Sequence, residues 1–168
     1  MINQHRGIPL VGTKPINLTI HVPLCQAALG AGANKVQFVD ELVKIMSPLE
    51  LELQNKYDNT ALCFAAASGP TRVAKVMVIK NRFLPILRGS KEVTSLHMAA
   101  LLGHGEIVWY LYSVTDYQYL SKEDYISLLI ATINSTLFGM NLIMLSTDVA
   151  LHILQRMPEL SIERDQNE

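Results

Sequence analysis

The segment TALCFAAASG at residues 60–69 recurs as TSLHMAALLG at residues 94–103, a spacing of 34 residues. Five of the ten positions are identical, and an apolar stretch at helical spacing follows each copy. An internal repeat of this period is typical of a stacked array, in which each copy forms two short helices and buries its apolar face against its neighbours. The sequence therefore predicts an all-α solenoid of three to four helix-turn-helix repeats.

The identical positions are those that such a unit constrains. The hydroxyls of Thr60 and Thr94 are expected to cap the first helix of each repeat, at about 1 kcal/mol each relative to alanine. Gly69 and Gly103 are expected to end it, because glycine takes a left-handed backbone without a steric penalty. The other motif positions supply inward leucines, close-packing alanines and two histidines, namely Leu62, Ala65, Ala66, Leu96, His97, Ala99, Ala100 and His104.

A third and weaker copy lies upstream, near residues 25–46. Placing Phe38 over Val73 sets the segment CQAALGAGAN over TALCFAAASG at a spacing of 35 residues. Asn34 then takes the glycine position, where asparagine accepts left-handed backbone better than most residues. An alternative stays open, in which PLCQAAL begins one repeat and GAGANKV belongs to the next.

A fourth and divergent copy is predicted downstream, with helices at residues 125–137 and 148–157. The segment GMNLIMLST between them, residues 139–147, is not required by the period. The predicted organisation is an extended or disordered leader over 1–24, a repeat array over 25–157, and the start of a further repeat over 158–168. Within the array the repeats lie near residues 25–46, 60–81, 94–112 and 125–157.

These motifs resemble the ankyrin repeat, whose signature is Thr-Pro-Leu-His-x-Ala-Ala-x-x-Gly-His before a Val/Ile-rich second helix. The copy at residues 94–103 carries the first histidine and is followed by the second, whereas the copy at residues 60–69 has Cys63 at the first histidine position. Where the signature has a left-handed glycine before the threonine, this chain has Asp58 and Glu92. Aspartate tolerates that backbone moderately and glutamate poorly, at a cost on the order of 1 kcal/mol, so these turns are predicted to be looser than usual.

Other segments, including MSPLELELQNK and MAALLGHGEIVWYLYSVTD, resemble the ankyrin region of plant membrane proteins that carry a C-terminal PGG domain and are related to the accelerated-cell-death proteins. The resemblance implies the ankyrin part of a membrane-associated protein of defence and stress signalling. It implies a cytoplasmic location for this part, and attachment to the plasma membrane or another membrane through the family's C-terminal segment. We expect the chain to be a partial member; a standalone adaptor and a non-functional gene fragment are the alternatives.

The resemblance also implies where a protein partner is bound. In the ankyrin family the contact residues lie in the turn before the threonine and after the alanine pair, along a concave face. Leu101 and Leu102 are unusual at such positions, and they favour either an apolar groove for a partner segment or cover by the loop at residues 114–122. The implied contact residues are Lys56, Tyr57, Asn59, Ala67, Ser68, Ser90, Lys91, Val93, Leu101 and Leu102.

Composition excludes some classes of function. The chain has 14 basic and 15 acidic residues, a formal charge of −1, so no electrostatic argument supports nucleic-acid binding. Cys25 and Cys63 fall at different positions of different repeats in the alignment above, and buried free thiols are favoured over a disulfide. Residues 125–147 carry no charge. Because polar residues interrupt this run, buried repeat helices are favoured over a membrane-spanning helix.

No catalytic motif is present in the sequence, which lacks a phosphate-binding glycine loop, a Gly-x-Ser-x-Gly elbow and a His-Glu-x-x-His pair. We therefore expect no enzyme activity, no cofactor, no metal and no small-molecule substrate. For Trp109 and Tyr110 packing is favoured over a ligand cage. A tyrosine cluster beyond them could anchor a partner, although packing against the fourth repeat is favoured; it comprises Tyr112, Tyr117, Tyr119 and Tyr125.

Overall fold

The computed structural model describes residues 24–28, 33–137 and 143–156. A helical segment at residues 24–28 is named α1, and the longer helices follow it in chain order. They are α2 Ala33–Ile45, α3 Pro48–Leu51, α4 Ala61–Ser68, α5 Thr71–Lys80, α6 Ser95–Leu101, α7 Gly105–Val114, α8 Lys122–Leu137 and α9 Ile143–Arg156. Short 3-10 turns occur at Leu84–Ile86, Ser90–Glu92 and Tyr117–Tyr119.

The helices form two layers. In the first layer α4, α6 and α8 pack side by side, and in the second layer α2, α5, α7 and α9 do the same. The layers are joined by the pairs α4/α5, α6/α7 and α8/α9, each of which packs as a unit. Within the described ranges the only extended pairing is an isolated antiparallel bridge between Arg88 and Thr94. The predicted all-α repeat solenoid is confirmed.

The motif leucines and alanines form the centre of this stack. All six are at most 1% exposed, and so are the main apolar residues of the second helices that pack on them. Each buried leucine contributes roughly 1.5–3 kcal/mol relative to an exposed one. The buried residues of the two central repeats include Leu62, Ala65, Ala66, Val73, Met77, Leu96, Ala99, Ala100, Ile107 and Leu111.

The two threonine caps differ. Thr94 Oγ1 accepts a hydrogen bond from the backbone N–H of His97 at 3.3 Å, so the predicted cap of α6 is confirmed. The predicted cap of α4 by the Thr60 hydroxyl is wrong, since no backbone N–H donates to it. Thr60 Oγ1 lies instead 3.5 Å from Cys63 Sγ, because the residue one turn along offers a thiol at the position where the signature has histidine.

The left-handed backbone predicted at the two motif glycines is confirmed. Gly69 has φ 97° and Gly103 has φ 73°, and Gly69 ends α4 as expected. Asp58 and Glu92 both have φ 61°. Lys91 is also left-handed, with φ 56°, which the sequence did not indicate.

The first repeat has a different register from the predicted one, and its second helix shows this directly. Phe38 is 48% exposed, whereas Val39 is fully buried. Val39 therefore corresponds to the fully buried Val73, at a spacing of 34 residues rather than 35. The alignment of Phe38 with Val73 is wrong because it would place a fully buried position at the surface.

The first helix of this repeat is displaced further. Leu24 and Ala28 of α1 are fully buried, like Leu62 and Ala66 of α4, and they lie 38 residues before them. Four additional residues therefore separate the two helices of the first repeat in the sequence. Asn34 belongs to α2, so its predicted place at the end of the first helix is wrong.

The segment at 139–147 is partly helical, because α9 already begins at Ile143. The fourth helix pair extends both layers, with α8 on α6 and α9 on α7. None of the helices in the described ranges combines the length and apolar character that crossing a membrane requires. The predicted segments over 1–24, apart from Leu24, and over 158–168 lie outside the described residues.

Candidate functional site

The first hairpin, at residues 55–59 before α4, has two of the predicted contact residues at its tip. Lys56 and Tyr57 are both exposed, and the Lys56 ammonium lies 4.9 Å from the centroid of the Tyr57 ring. Asn55 Oδ1 accepts the backbone N–H groups of Tyr57 at 2.8 Å and of Asn59 at 3.1 Å, which fixes the turn. The tip is therefore an ordered platform that projects Lys56 and Tyr57 into solvent.

Asn59 and Ser90, also predicted as contact residues, connect one hairpin to the next. Asn59 Oδ1 accepts the backbone N–H of Ser90 at 3.0 Å. A Cβ at Gly89 would lie 2.6 Å from that same oxygen, so glycine leaves the space for this bond. Gln54 Nε2 reinforces the connection by donating to the carbonyl oxygens of Asp58 and Arg88, each at 2.7 Å. The hairpins therefore stack through side-chain to backbone hydrogen bonds.

The second hairpin, at residues 89–93, also contains the predicted contact residues Lys91 and Val93. Lys91 is exposed at the tip, and Val93 is half-buried beneath it. The backbone N–H of Gly89 donates to the Val93 carbonyl oxygen at 2.8 Å, closing the hairpin. Lys91 is thus available at the surface, whereas Val93 belongs mainly to the hairpin base.

At the end of α4, Ala67 and Ser68 bind neighbouring repeats through their polar atoms. The Ser68 hydroxyl donates to the Ala28 carbonyl oxygen, which joins α4 to α1. His104 Nε2 donates to the Ala67 carbonyl oxygen at 2.9 Å. His104, the second signature histidine, therefore joins the third repeat to the second.

Leu101 and Leu102, at the corresponding end of α6, remain at the surface. Leu101 is 55% exposed and Leu102 is 40% exposed. Cover by the loop at residues 114–122 is therefore wrong, and the other predicted alternative, an open apolar surface, stays as an expectation. An exposed leucine pair has no role in the core, and it supplies apolar surface at the C-terminal end of α6.

A polar groove of about 450 Å³ lies between the second hairpin and the first turns of α8. Arg88 spans its floor with two parallel hydrogen bonds to Asp124, Nη1 to Oδ1 at 2.9 Å and Nη2 to Oδ2 at 2.6 Å. The hydrogen bonds from Arg88 hold the pKa of the Asp124 carboxyl below its usual value, against the opposing effect of burial. Sequence analysis missed this pair because its members lie 36 residues apart and neither belongs to the repeat signature.

His97 lines the same groove. Burial lowers the pKa of its imidazole, and the nearby Asp124 carboxylate opposes that shift. Burial is the larger of the two effects, so the shift favours the neutral form of the imidazole.

Cys25 and Cys63 are both buried, and they do not form a disulfide. They occupy equivalent positions of α1 and α4, directly after Leu24 and Leu62, so their predicted placement at different positions is wrong. Burial, with a smaller contribution from the adjacent Cys63, raises the pKa of the Cys25 thiol to about 11. A reactive thiol is accessible and has a lowered pKa, and Cys25 shows the opposite on both counts.

The members of the tyrosine cluster differ in burial. Tyr125, on α8, is buried within the fourth helix pair, and the Tyr112 hydroxyl lies 2.9 Å from His152 Nδ1 on α9, so Tyr112 packs against that pair as favoured. Tyr119 is 49% exposed. The Tyr117 side chain lies outside the described residues. In the part of the chain that the structure describes, no cluster of three or more His, Cys, Asp or Glu side chains could hold a metal ion.

Two layers of paired helices, joined by stacked hairpins, define a helical-repeat solenoid. The sequence pattern of ankyrin repeats, in three copies, matches residues 24–124, which is more than half of the chain. The chain belongs to the ankyrin-repeat family. No curated protein matches it. Ankyrin repeats are generally modules that bind other proteins, and they are typically not enzymes.

Proposed function

We propose that residues 25–157 act as one protein-binding unit, which engages its partner along the concave face formed by the hairpin tips and the first layer. The observation that supports this proposal is the exposure of Leu101 and Leu102 at the end of α6. Exposed apolar side chains beside ordered polar ones are the usual composition of a recognition surface, because the apolar residues supply affinity and the polar residues supply specificity.

The proposed contact set is narrower than the ten residues that the signature implies. Lys56, Tyr57 and Lys91 project from the tips, and Leu101 and Leu102 supply the apolar contact. The other five residues mainly stabilise the fold, because their polar atoms or side chains are engaged between repeats or within a hairpin. They are Asn59, Ala67, Ser68, Ser90 and Val93.

The partner segment that fits this surface carries one or two apolar side chains followed by polar residues of both signs. The leucine pair would receive the apolar part. The polar groove between the second hairpin and α8 would receive the polar part, and it is lined by charges of both signs, from Arg88, Lys91, Glu92, Glu123 and Asp124. A strongly acidic or strongly basic partner would meet like charges in this groove and is disfavoured.

Site-specific photo-cross-linking tests which face is used. A benzophenone amino acid at position 102 is compared with the same group at position 79, on the second layer, where Ile79 is 77% exposed. In extracts of the native tissue, we expect discrete cross-linked products from position 102, removed by an excess of unlabelled protein but not by an excess of the Leu101→Asp/Leu102→Asp variant. Identical products from positions 79 and 102, or products from position 79 alone, would reject the proposed face.

For the biological context we propose the cytosolic ankyrin part of a plant membrane-associated defence or stress signalling protein. The resemblance of several segments to PGG-domain ankyrin proteins supports this proposal. An antibody against residues 80–91 tests it on soluble and membrane extracts. A band much larger than 18.7 kDa in the membrane fraction is expected. A band of 18.7 kDa in the soluble fraction would instead establish the standalone adaptor.

A further inference from the structure

A cavity of about 290 Å³ lies where the end of α7, the loop before α8 and the middle of α9 meet. Its lining includes four aromatic rings, from α7, α8 and α9, and one carboxylate. None of the described residues that line the cavity belongs to the proposed contact set on the partner-binding face. The residues that matter for its chemistry are Trp109, Tyr112, Asp116, Tyr125 and His152.

The aromatic walls are held in place before any ligand arrives. The Tyr112 hydroxyl lies 2.9 Å from His152 Nδ1, and the two rings meet edge to face with centroids 5.6 Å apart and planes at 89°. Tyr125 is only 7% exposed, so packing fixes its ring. Trp109 is 44% exposed and lines the cavity, so part of its indole ring is accessible to a ligand. Preorganised rings bind without the entropy cost of ordering them.

The electrostatics of the cavity favour a cation. The Asp116 carboxylate accepts hydrogen bonds from the backbone N–H of Gln118 at 3.3 Å and from Gln118 Nε2 at 2.9 Å, and both donors are neutral. Among the described residues that line the cavity there is no lysine or arginine. The negative charge of Asp116 is therefore not neutralised within the cavity, and the faces of the aromatic rings add their own negative potential.

We propose that this cavity binds a quaternary ammonium group, such as that of a trimethylated lysine side chain or of choline. Aromatic faces attract cations, and a methylated ammonium is less strongly hydrated than a primary one, so it loses little on entering an aromatic site. The volume suits a single small head group, since it lies at the lower end of the range for ligand pockets.

Trp109 is the only tryptophan in the chain, so its fluorescence reports directly on this cavity. The intact chain is titrated with choline, with a short trimethyllysine peptide, with the same peptide unmethylated, and with 3,3-dimethyl-1-butanol, the uncharged isostere of choline. We expect saturable changes with the two quaternary ammonium ligands, and at least roughly tenfold weaker binding of the isostere and of the unmethylated peptide. Tighter binding of the peptide identifies a protein as the source of the cation, and tighter binding of choline identifies a free small molecule.

Two variants distinguish binding at Asp116 from a general effect of the protein's charge on choline binding. Asp116→Asn is expected to weaken choline binding roughly tenfold while the helical circular dichroism is unchanged, because Asp116 is exposed and the asparagine carbonyl oxygen can still accept one of the two hydrogen bonds from Gln118. Asp58→Asn, at a distant hairpin tip, removes the same charge and is the matched control; it is expected to bind like the unchanged protein. Equal binding of choline and its isostere, unchanged affinity in Asp116→Asn, or the absence of a saturable signal would overturn the inference.

Discussion

Arg88 and Asp124 connect the second hairpin to the first turn of α8 through two parallel hydrogen bonds of 2.9 and 2.6 Å. Asp124 also accepts the backbone N–H of Ser121 at 2.8 Å, and the Ser121 hydroxyl accepts the backbone N–H of Asp124 at 3.2 Å. One carboxylate therefore stabilises the start of α8 and fastens this helix to the repeat before it. The fourth helix pair, which departs most from the repeat signature, is held by contacts that the signature does not encode.

Breaking this pair is expected to loosen the fourth helix pair. The two side chains are 34% and 20% exposed, so solvent screens their interaction, and we expect a coupling free energy of about 1 kcal/mol. A double-mutant cycle with Arg88→Met, Asp124→Asn and the combined variant measures it by urea unfolding. Additive single effects would show that the pair contributes nothing beyond its separate residues. Lys44 and Glu41 form an exposed pair on α2, and the same cycle there is the control, with little coupling expected.

The Arg88 to Asp124 contribution is expected to depend on pH in one direction. Because the pKa of Asp124 is lowered in the folded state, chiefly by Arg88, folding is favoured when the carboxyl is ionised. The contribution is thus fully present above the ordinary aspartate pKa of about 3.9 and is lost as the pH falls through the lower, folded value. The stability difference between the unchanged protein and Asp124→Asn should shrink between pH 7 and pH 3. A difference that stays constant over this range would contradict the assignment.

Gly69 is expected to resist substitution for two separate reasons. Its φ of 97° is costly for any other residue, and an added Cβ would lie 3.0 Å from the His104 imidazole. We expect Gly69→Ala to destabilise the protein by roughly 2 kcal/mol or more. Gly103→Ala, at φ 73°, is the control that measures the cost of a left-handed backbone alone.

The cost of the contact between the added Cβ and the His104 ring can be measured separately with a second substitution. Adding His104→Ala to Gly69→Ala removes the close approach of the ring, so the combined cost should be smaller than the sum of the two single costs. Strict additivity in thermal unfolding would show that the His104 ring moves aside without cost.

Asn59→Ala is expected to weaken the stacking of the two hairpins. It removes the acceptor of the Ser90 N–H, and losing one such hydrogen bond costs about 1 kcal/mol. Lys56→Ala, three residues earlier on the same tip, is exposed and should leave stability within about 0.5 kcal/mol of the unchanged protein. Urea unfolding of both variants tests this. Equal effects would mean that Asn59 does not connect the hairpins.

The parts of the fold that sequence analysis predicted are those set within one repeat. Thr94, Gly69 and Gly103 act through bonds to residues a few positions away, or through their own backbone angles, and such local requirements are readable from one copy of the motif. The burial of Leu62 and Leu96 follows from helical periodicity in the same way.

The parts that were missed depend on contacts between repeats. Nothing local in the sequence indicates that Asn59 bonds to Ser90 or that Arg88 bonds to Asp124, because each contact crosses more than 30 residues. The displaced α1 was misaligned for a related reason. A constant period cannot describe both helices of the first repeat. The extra residues before α2 lengthen the spacing from α1 to α4, but they leave the spacing from α2 to α5 at the period of the array.

Hydrogen exchange along the intact chain tests most directly whether α8 and α9 complete one continuous stack. The account predicts that amides of α8 and α9 are protected together with those of α6 and α7, since each helix packs on its counterpart in the preceding repeat. It also predicts that Asp124→Asn speeds exchange in α8 more than in α4. Protection confined to α4–α7, with α8 and α9 exchanging at the rates of an unfolded peptide, would contradict a four-pair array and with it the proposed extent of the binding unit.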